Sequence, residues 1–235
     1  MGVVNGPAPP VAPSPRAVIA EALLAFAAVT AVVSGLYRLR SIGPIDRNLA
    51  VVAAVLFLYV PALLLWRRRL DLDQYGLRLE PLGRGLLFYL GAVAVVLPLF
   101  CVGYYVYMQK LCPHLSRALV YCPPTQPPVL RWPPQLFLSI ASQLVVVALP
   151  EEFFFRGFLQ GRLREVFSAP VAVVATAAVF ALGHLLVTFE PAALAVFFPG
   201  LLFGLLRLGT GSILAGTLFH ATCNLLIDIL HRSIG

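Results

Sequence analysis

From Gln135 to Leu149 the chain carries no charged residue, and then Glu151, Glu152 and Arg156 arrive within the run Leu149-Pro150-Glu151-Glu152-Phe153-Phe154-Phe155-Arg156-Gly157. A charge near the centre of a bilayer costs roughly 2.5–3.5 kcal/mol, so three cost about 7–10. The large apolar residues just before them, at about 0.3–0.6 kcal/mol each, return only some 3–5 kcal/mol. An isolated helix with this sequence would not stay in lipid. The three charges must face the inside of a bundle and find partners there.

Composition agrees that the surroundings are a membrane. Of 235 residues, 60% are hydrophobic and 11% are charged, against about 25% charged in a soluble domain. The fold class expected is all-α, a polytopic transmembrane bundle of about seven spans. These run from Ala17 to Tyr37, Asn48 to Trp66, Leu86 to Gln109, Gln135 to Phe167, Pro170 to Val187, Pro191 to Arg207 and Gly211 to Leu230. The first reads as an uncleaved signal anchor, and Ser168-Ala169-Pro170 reads as a tight turn. Residues 1–16 read as a disordered tail, 17–134 as N-terminal transmembrane helices with a polar loop, and 135–235 as the helical core that carries the polar motifs.

The stretch from Leu70 to Gly85 mixes apolar and charged residues and suggests an interfacial segment rather than a span. The net charge of +7 does not indicate nucleic acid, because the arginines stand at the ends of apolar segments, where the positive-inside rule and snorkelling put them. With Arg67-Arg68-Arg69 placed in the cytoplasm, that side holds nine basic residues, Arg162, Arg164 and Arg207 among them, against seven opposite. This puts the N-terminus inside, and the C-terminus and the loop bearing Cys112 and Cys122 outside. There a disulfide between the two is expected.

Partners for the charges lie downstream. Phe180-Ala181-Leu182-Gly183-His184 and His220-Ala221-Thr222-Cys223-Asn224 each set a polar residue in an apolar helix. Glu152 and Arg156 are four apart, as are His220 and Asn224, so each pair shares a helical face. At about 1.5 Å per residue, Glu151 lies roughly 24 Å from the Ser168 turn and His184 roughly 21 Å. His220 and Asn224 lie roughly 14 and 20 Å from the Gly211 turn on the same side of the membrane. Alone, each histidine reads as a helix–helix hydrogen bond. Arrival of all four polar groups within about two helical turns of one depth, from three helices, points to a shared site of Glu151, Glu152, Arg156, His184, His220 and Asn224. The phenylalanines at 153–155 and 180 read as packing residues, and Gly200 and Gly204 as a close helix contact. Pro150, with no N–H for the Val146 carbonyl, should distort the helix where the carboxylates begin.

The motifs Glu151-Glu152-xxx-Arg156, Phe180-xxx-His184 and His220-xxx-Asn224 resemble those of the CPBP family of intramembrane proteases, the CAAX-protease and bacteriocin-processing (Abi) family. The resemblance covers roughly Gln135 to Leu230. It implies that 135–235 is a catalytic core hydrolysing a peptide bond of a membrane-anchored protein or peptide, in the lipid bilayer and without nucleic acid. The ALPEEFFFRGFLQ wording resembles a bacterial, myxosortase-like branch, which implies removal or processing of a C-terminal sorting or lipidated tail at a bacterial inner membrane.

The residues are suited to such chemistry. Glu151 is the candidate base for water. Glu152, held by Arg156, orients the site. Asn224 and one histidine stabilise the oxyanion, and the other histidine positions water or carries a proton. Two cofactor readings stand side by side. One is a divalent metal such as zinc on Glu151, His184 and His220; the other is a metal-free glutamate-type mechanism. Two rival functions also stand. A proton-coupled transporter would use the carboxylates as a relay, and a bacteriocin-immunity or scaffold protein would use the polar set only to pack helices.

Overall fold

The computed structural model describes residues 14–79, 81–114 and 129–234; the side chains of Leu111, Pro113 and Ile234 are not among those described. Among the described residues, seven helices are long and apolar enough to cross a membrane. They are α1 (Pro15–Arg38), α2 (Gly43–Arg67), α3 (Leu82–Lys110), α4 (Leu136–Arg164), α5 (Ala169–Thr188), α6 (Pro191–Thr210) and α7 (Leu214–Ile234). No strand occurs among the described residues. The chain is an integral, multi-pass, all-α membrane protein, as its composition requires. Most of the tail expected over 1–16 lies outside the described residues. The first helix already begins at Pro15, where proline fits the first turn and the Ser14 hydroxyl accepts from the Ala17 N–H at 3.3 Å.

Successive helices alternate in direction. One end of the bundle, here called basal, therefore gathers Arg67–Arg69, the 68–81 connection, the Glu165–Ser168 turn and the 211–213 turn. The other end holds the 39–42 turn, the loop after α3 and the 189–190 turn. Gly211, at φ 72°, stops α6 and turns the chain into α7.

α4 is the centre. Every residue from Glu152 to Gln160 is buried, so this helix has no lipid-facing side there. α1 covers it with a stripe of Val18, Ala22, Phe26, Val29 and Val33, spaced three and four apart as a helical face demands. Phe154 meets Phe57 of α2 edge-on at 5.2 Å, and Phe155 meets Phe180 of α5 at 4.9 Å. The phenylalanine run is packing, as its sequence suggested. Gly200 and Gly204 face α5. A Cβ on Gly204 would lie 2.9 Å from Val173, and one on Gly200 3.4 Å from the Ala177 backbone, so hydrogen at these positions sets the approach.

The distortion around Pro150 takes a definite form. Leu149–Glu152 is an ordinary α turn, but Gln143–Ala148 before it and Phe153–Leu159 after it are wide π turns. Pro150 cannot donate to Val146. A wide turn holds one more residue than an α turn, so it changes the direction in which the side chains beyond it point.

The 68–81 connection, which covers most of the segment expected to be interfacial, is tied to the underside of the bundle. Tyr75 is only 5% exposed and lies under the bundle against two α4 glycines. A Cβ on Gly157 would come within 2.8 Å of the Tyr75 carbonyl oxygen, and one on Gly161 within 2.7 Å of its ring. The Tyr75 hydroxyl donates to Glu165 at 2.6 Å, and the Gly76 carbonyl, at φ 89°, accepts from the Ile213 N–H at 3.1 Å. Nor do all the basal arginines snorkel. Arg162 is 1% exposed and pairs with Glu165 at 2.7 Å and with Glu21 of α1 at 3.4 Å. Glu21 also binds Arg68. Those carboxylates draw Arg162 inward, where end-of-helix position alone suggested solvent.

Cys112 is buried beside Met108 and is disulfide-bonded. Cys122, its expected partner, lies outside the described residues. Cys101 and Cys223 are free thiols.

Candidate active site

The site begins with the i, i+4 pair of α4. Arg156 Nη1 donates to Glu152 Oε1 at 2.9 Å, and both side chains are fully buried. A buried ion pair survives only if its remaining hydrogen-bonding groups are met. Arg156 meets part of that need on α6: its Nη2 donates to the Gly200 carbonyl at 3.1 Å. One turn further along, Gln160 Nε2 donates to the Gly204 carbonyl at 3.1 Å. Two polar residues four apart on α4 thus bind two glycine carbonyls four apart on the parallel α6, and glycine is what lets them reach. The guanidinium carbon also lies 4.2 Å from the Phe180 ring centre and 4.8 Å from that of Phe203, a desolvated cation between aromatic faces.

His220 arrives from α7. Its Nδ1 is 3.1 Å from Glu152 Oε1, and its Nε2 is 3.8 Å from Glu151 Oε2. The ring stacks on Phe203 at 4.8 Å and 16°, with the edge of Phe180 at 6.2 Å. Glu152, ionised beside Arg156, can only accept, so Nδ1 carries the proton. Neutral His220 then has a lone pair on Nε2, facing Glu151. That separation is too long for a direct hydrogen bond. It suits one water touching both groups. Glu151 Oε2 is buried and has no hydrogen-bond partner among the described residues. Gly216 makes room for the pair, since a Cβ there would stand 2.9 Å from Glu152 Oε2.

Of the six residues expected to meet, Arg156, Glu152 and His220 form one hydrogen-bonded chain, and Glu151 faces the far nitrogen of His220 at 3.8 Å. His184 joins through Phe180: its ring centre is 4.5 Å from that ring, and its Nδ1 is 3.0 Å from the Phe180 carbonyl oxygen. A proton given to that carbonyl leaves Nε2 as an acceptor. Asn224 lies one turn beyond His220 on α7, where its Nδ2 donates to Gln143 Oε1 at 3.0 Å. Its second amide hydrogen remains for another acceptor. Sequence reasoning passed over Gln143, Gln160 and Gly216. A polar side chain recurring along the inner face of an otherwise apolar α4 was the signal available for the two glutamines.

Among the described residues no three His, Cys, Asp or Glu side chains are grouped to hold a metal ion.

Seven spanning helices around a buried carboxylate pair, an arginine and a histidine define a polytopic membrane protein with a polar site inside its bundle. Residues 133–226 match the family model described as type II CAAX prenyl endopeptidase Rce1-like. That segment is thus similar to the CPBP, or CAAX-protease, family that the three motifs resemble, a family of membrane proteases. No curated protein and no solved structure matches the chain.

Proposed function

We propose that the protein is an intramembrane endopeptidase that uses Glu151 to activate water against a peptide bond of a membrane-anchored protein or peptide. The observation that carries this reading is the arrangement of His220, with Nδ1 on the Arg156-held Glu152 and Nε2 facing Glu151. The chain Arg156–Glu152–His220 fixes one tautomer, the same logic by which a carboxylate orients the histidine of a hydrolytic triad.

That geometry supports the following steps. A water between Glu151 Oε2 and His220 Nε2 gives its proton to Glu151 as its oxygen attacks the scissile carbonyl carbon. The negative charge that forms on the carbonyl oxygen is met by the remaining amide hydrogen of Asn224. The proton held by Glu151 then passes to the leaving nitrogen, directly or through His220. The C–N bond breaks, leaving a carboxylic acid and an amine, and the acid's proton passes to the amine to give carboxylate and ammonium. Removing one oxyanion donor costs about 2.7–4 kcal/mol in comparable sites.

An apolar recess of about 530 Å³ between the start of α3, α4 and α7 is lined by Leu86, Leu144, Leu149, Ala215 and Leu218. It lies beside the turn that bears the carboxylates and suits the lipid-like or apolar anchor of such a substrate. Processing of a C-terminal sorting or lipidated tail, at a bacterial inner membrane, is the specificity we infer. The test is cleavage by the purified protein of two synthetic tails, one prenylated and one with an apolar C-terminal anchor. Wild type is expected to cut one of them and Glu151→Gln neither. Equal cleavage by both forms would remove Glu151 from the mechanism.

A further inference from the structure

At the basal end a small polar recess of about 150 Å³ runs under α4, between its last turns, the end of α6 and the 68–81 connection. Gln74, Arg156, Gln160, Arg164, Glu165 and Arg207 line it. Its charges do not balance. Arg156 is met by Glu152, and Glu165 is already committed to Arg162 and to the Tyr75 hydroxyl. Arg164 and Arg207 enter no ion pair among the described residues. Arg207 is 9% exposed, and its hydrogen bond goes to a neutral group, the Gln74 carbonyl, at 2.8 Å. Arg78 and Arg164 add repulsion, since both act on Arg207 as like charges.

Two guanidinium N–H groups here are buried without an acceptor among the described residues, Nε of Arg156 and Nε of Arg207. The α6 C-terminus, where Arg207 sits, offsets part of its charge through the helix dipole, but supplies no acceptor for Nε. A buried, uncompensated arginine with a free donor calls for an anion.

We propose that this recess is an oxyanion site that takes a phosphate group. Arg207 and Arg164 supply the charge, Nε of Arg156 and of Arg207 supply buried donors, and a water bound to Gln160 Oε1 completes the lining. The volume matches one tetrahedral oxyanion with a water or two, at about 30 Å³ per water. Arginine suits the task, because its planar fork matches phosphate geometry. The phosphate can come from the headgroup of an anionic lipid, which the basal end meets if it faces the cytoplasmic leaflet, or from solution. Bound there, it would tie the 68–81 connection to α4 and α6, and would hold from below the guanidinium that grips Glu152 from above. The proposal does not depend on proteolysis, and its readout is binding.

The full chain, purified in a non-ionic detergent, is melted while the exposure of Cys101 and Cys223 to a thiol dye is monitored. Inorganic phosphate is titrated against chloride at equal ionic strength. In parallel, melting is compared in nanodiscs of phosphatidylglycerol and of phosphatidylcholine, whose phosphate carries its own choline cation. A saturable rise in Tm with phosphate is expected, as is a higher Tm in phosphatidylglycerol. Arg207→Gln should raise the half-saturating phosphate concentration about tenfold and remove the lipid difference. Should Arg207→Gln fail to fold, the exposed Arg164→Gln is read in its place. Stabilisation by phosphatidylglycerol alone assigns the site to a headgroup, and stabilisation by phosphate alone assigns it to a free anion. The proposal is overturned if neither stabilises wild type beyond its control, or if the variant responds as wild type does.

Discussion

Glu151 and Glu152 are neighbours in the chain with different surroundings. Glu152 is fully buried, and its Oε1 accepts from both Arg156 and His220, whereas Glu151 is 17% exposed and makes no such bond. The two positions should therefore fail in different ways. Glu151→Gln keeps the shape and removes the base. Cleavage should fall by at least about a hundredfold, with the melting temperature close to that of wild type, as read by product formation and thermal melting on one preparation. Glu152→Gln leaves Arg156 buried without its counter-charge, a change that costs about 3–5 kcal/mol. It should lower Tm markedly as well as activity. A Glu152→Gln protein that melts like wild type would show that the buried pair does not hold the bundle.

The wide turns of α4 decide where its carboxylates point. Pro150→Ala returns an N–H to the turn facing Val146. If the helix closes to ordinary α geometry, losing one residue from a wide turn rotates the rest of the helix by about 100°. Glu151 and Glu152 then move off His220. The expected outcome is unchanged or higher thermal stability with lower kcat, measured as turnover at saturating substrate. The α5–α6 contact is tested at Gly204, where an added Cβ would meet Val173 at 2.9 Å and Gln160 Oε1 at 3.0 Å. Gly204→Ala should destabilise by about 1–3 kcal/mol through overpacking, seen as a fall in Tm. Gly35, with nothing within 4 Å of an added Cβ, is the matched control and should tolerate alanine.

Across the molecule, the basal end joins the N-terminal helices to the core. Arg162 links Glu21 of α1 to Glu165 after α4, and Tyr75 joins the same group through Glu165. Burial first, and then its bond to Glu165, push the Tyr75 hydroxyl up to about 12 from an ordinary value of about 10. The folded protein favours the neutral phenol. The stability it contributes is thus complete below about pH 10 and is lost as pH rises from there through about 12. Melting between pH 9 and 12 should show this decline in wild type, and Tyr75→Phe should flatten it. An equal decline in both would assign the alkaline loss to other groups.

The span pattern and six polar candidates were legible in the sequence because lipid cannot satisfy a charge or a backbone group. Apolar runs must therefore be helices, and intramembrane charges must meet. Spacing of four residues was enough to pair Glu152 with Arg156. Rise per residue put Asn224, rather than His220, nearest the depth of Glu151, because it assumes regular turns, and α4 has two wide ones. It is His220 that reaches the carboxylates, and Asn224 meets Gln143, eight residues before Glu151. Sequence also counted Arg162 and Arg207 as end charges, since burial by partners distant in the chain leaves no local mark. What the chain determines by itself is that it crosses a membrane as helices and carries charges that need partners. The tertiary structure alone decides which oxygen each donor reaches, because that depends on turn width and on where glycine lets two helices close.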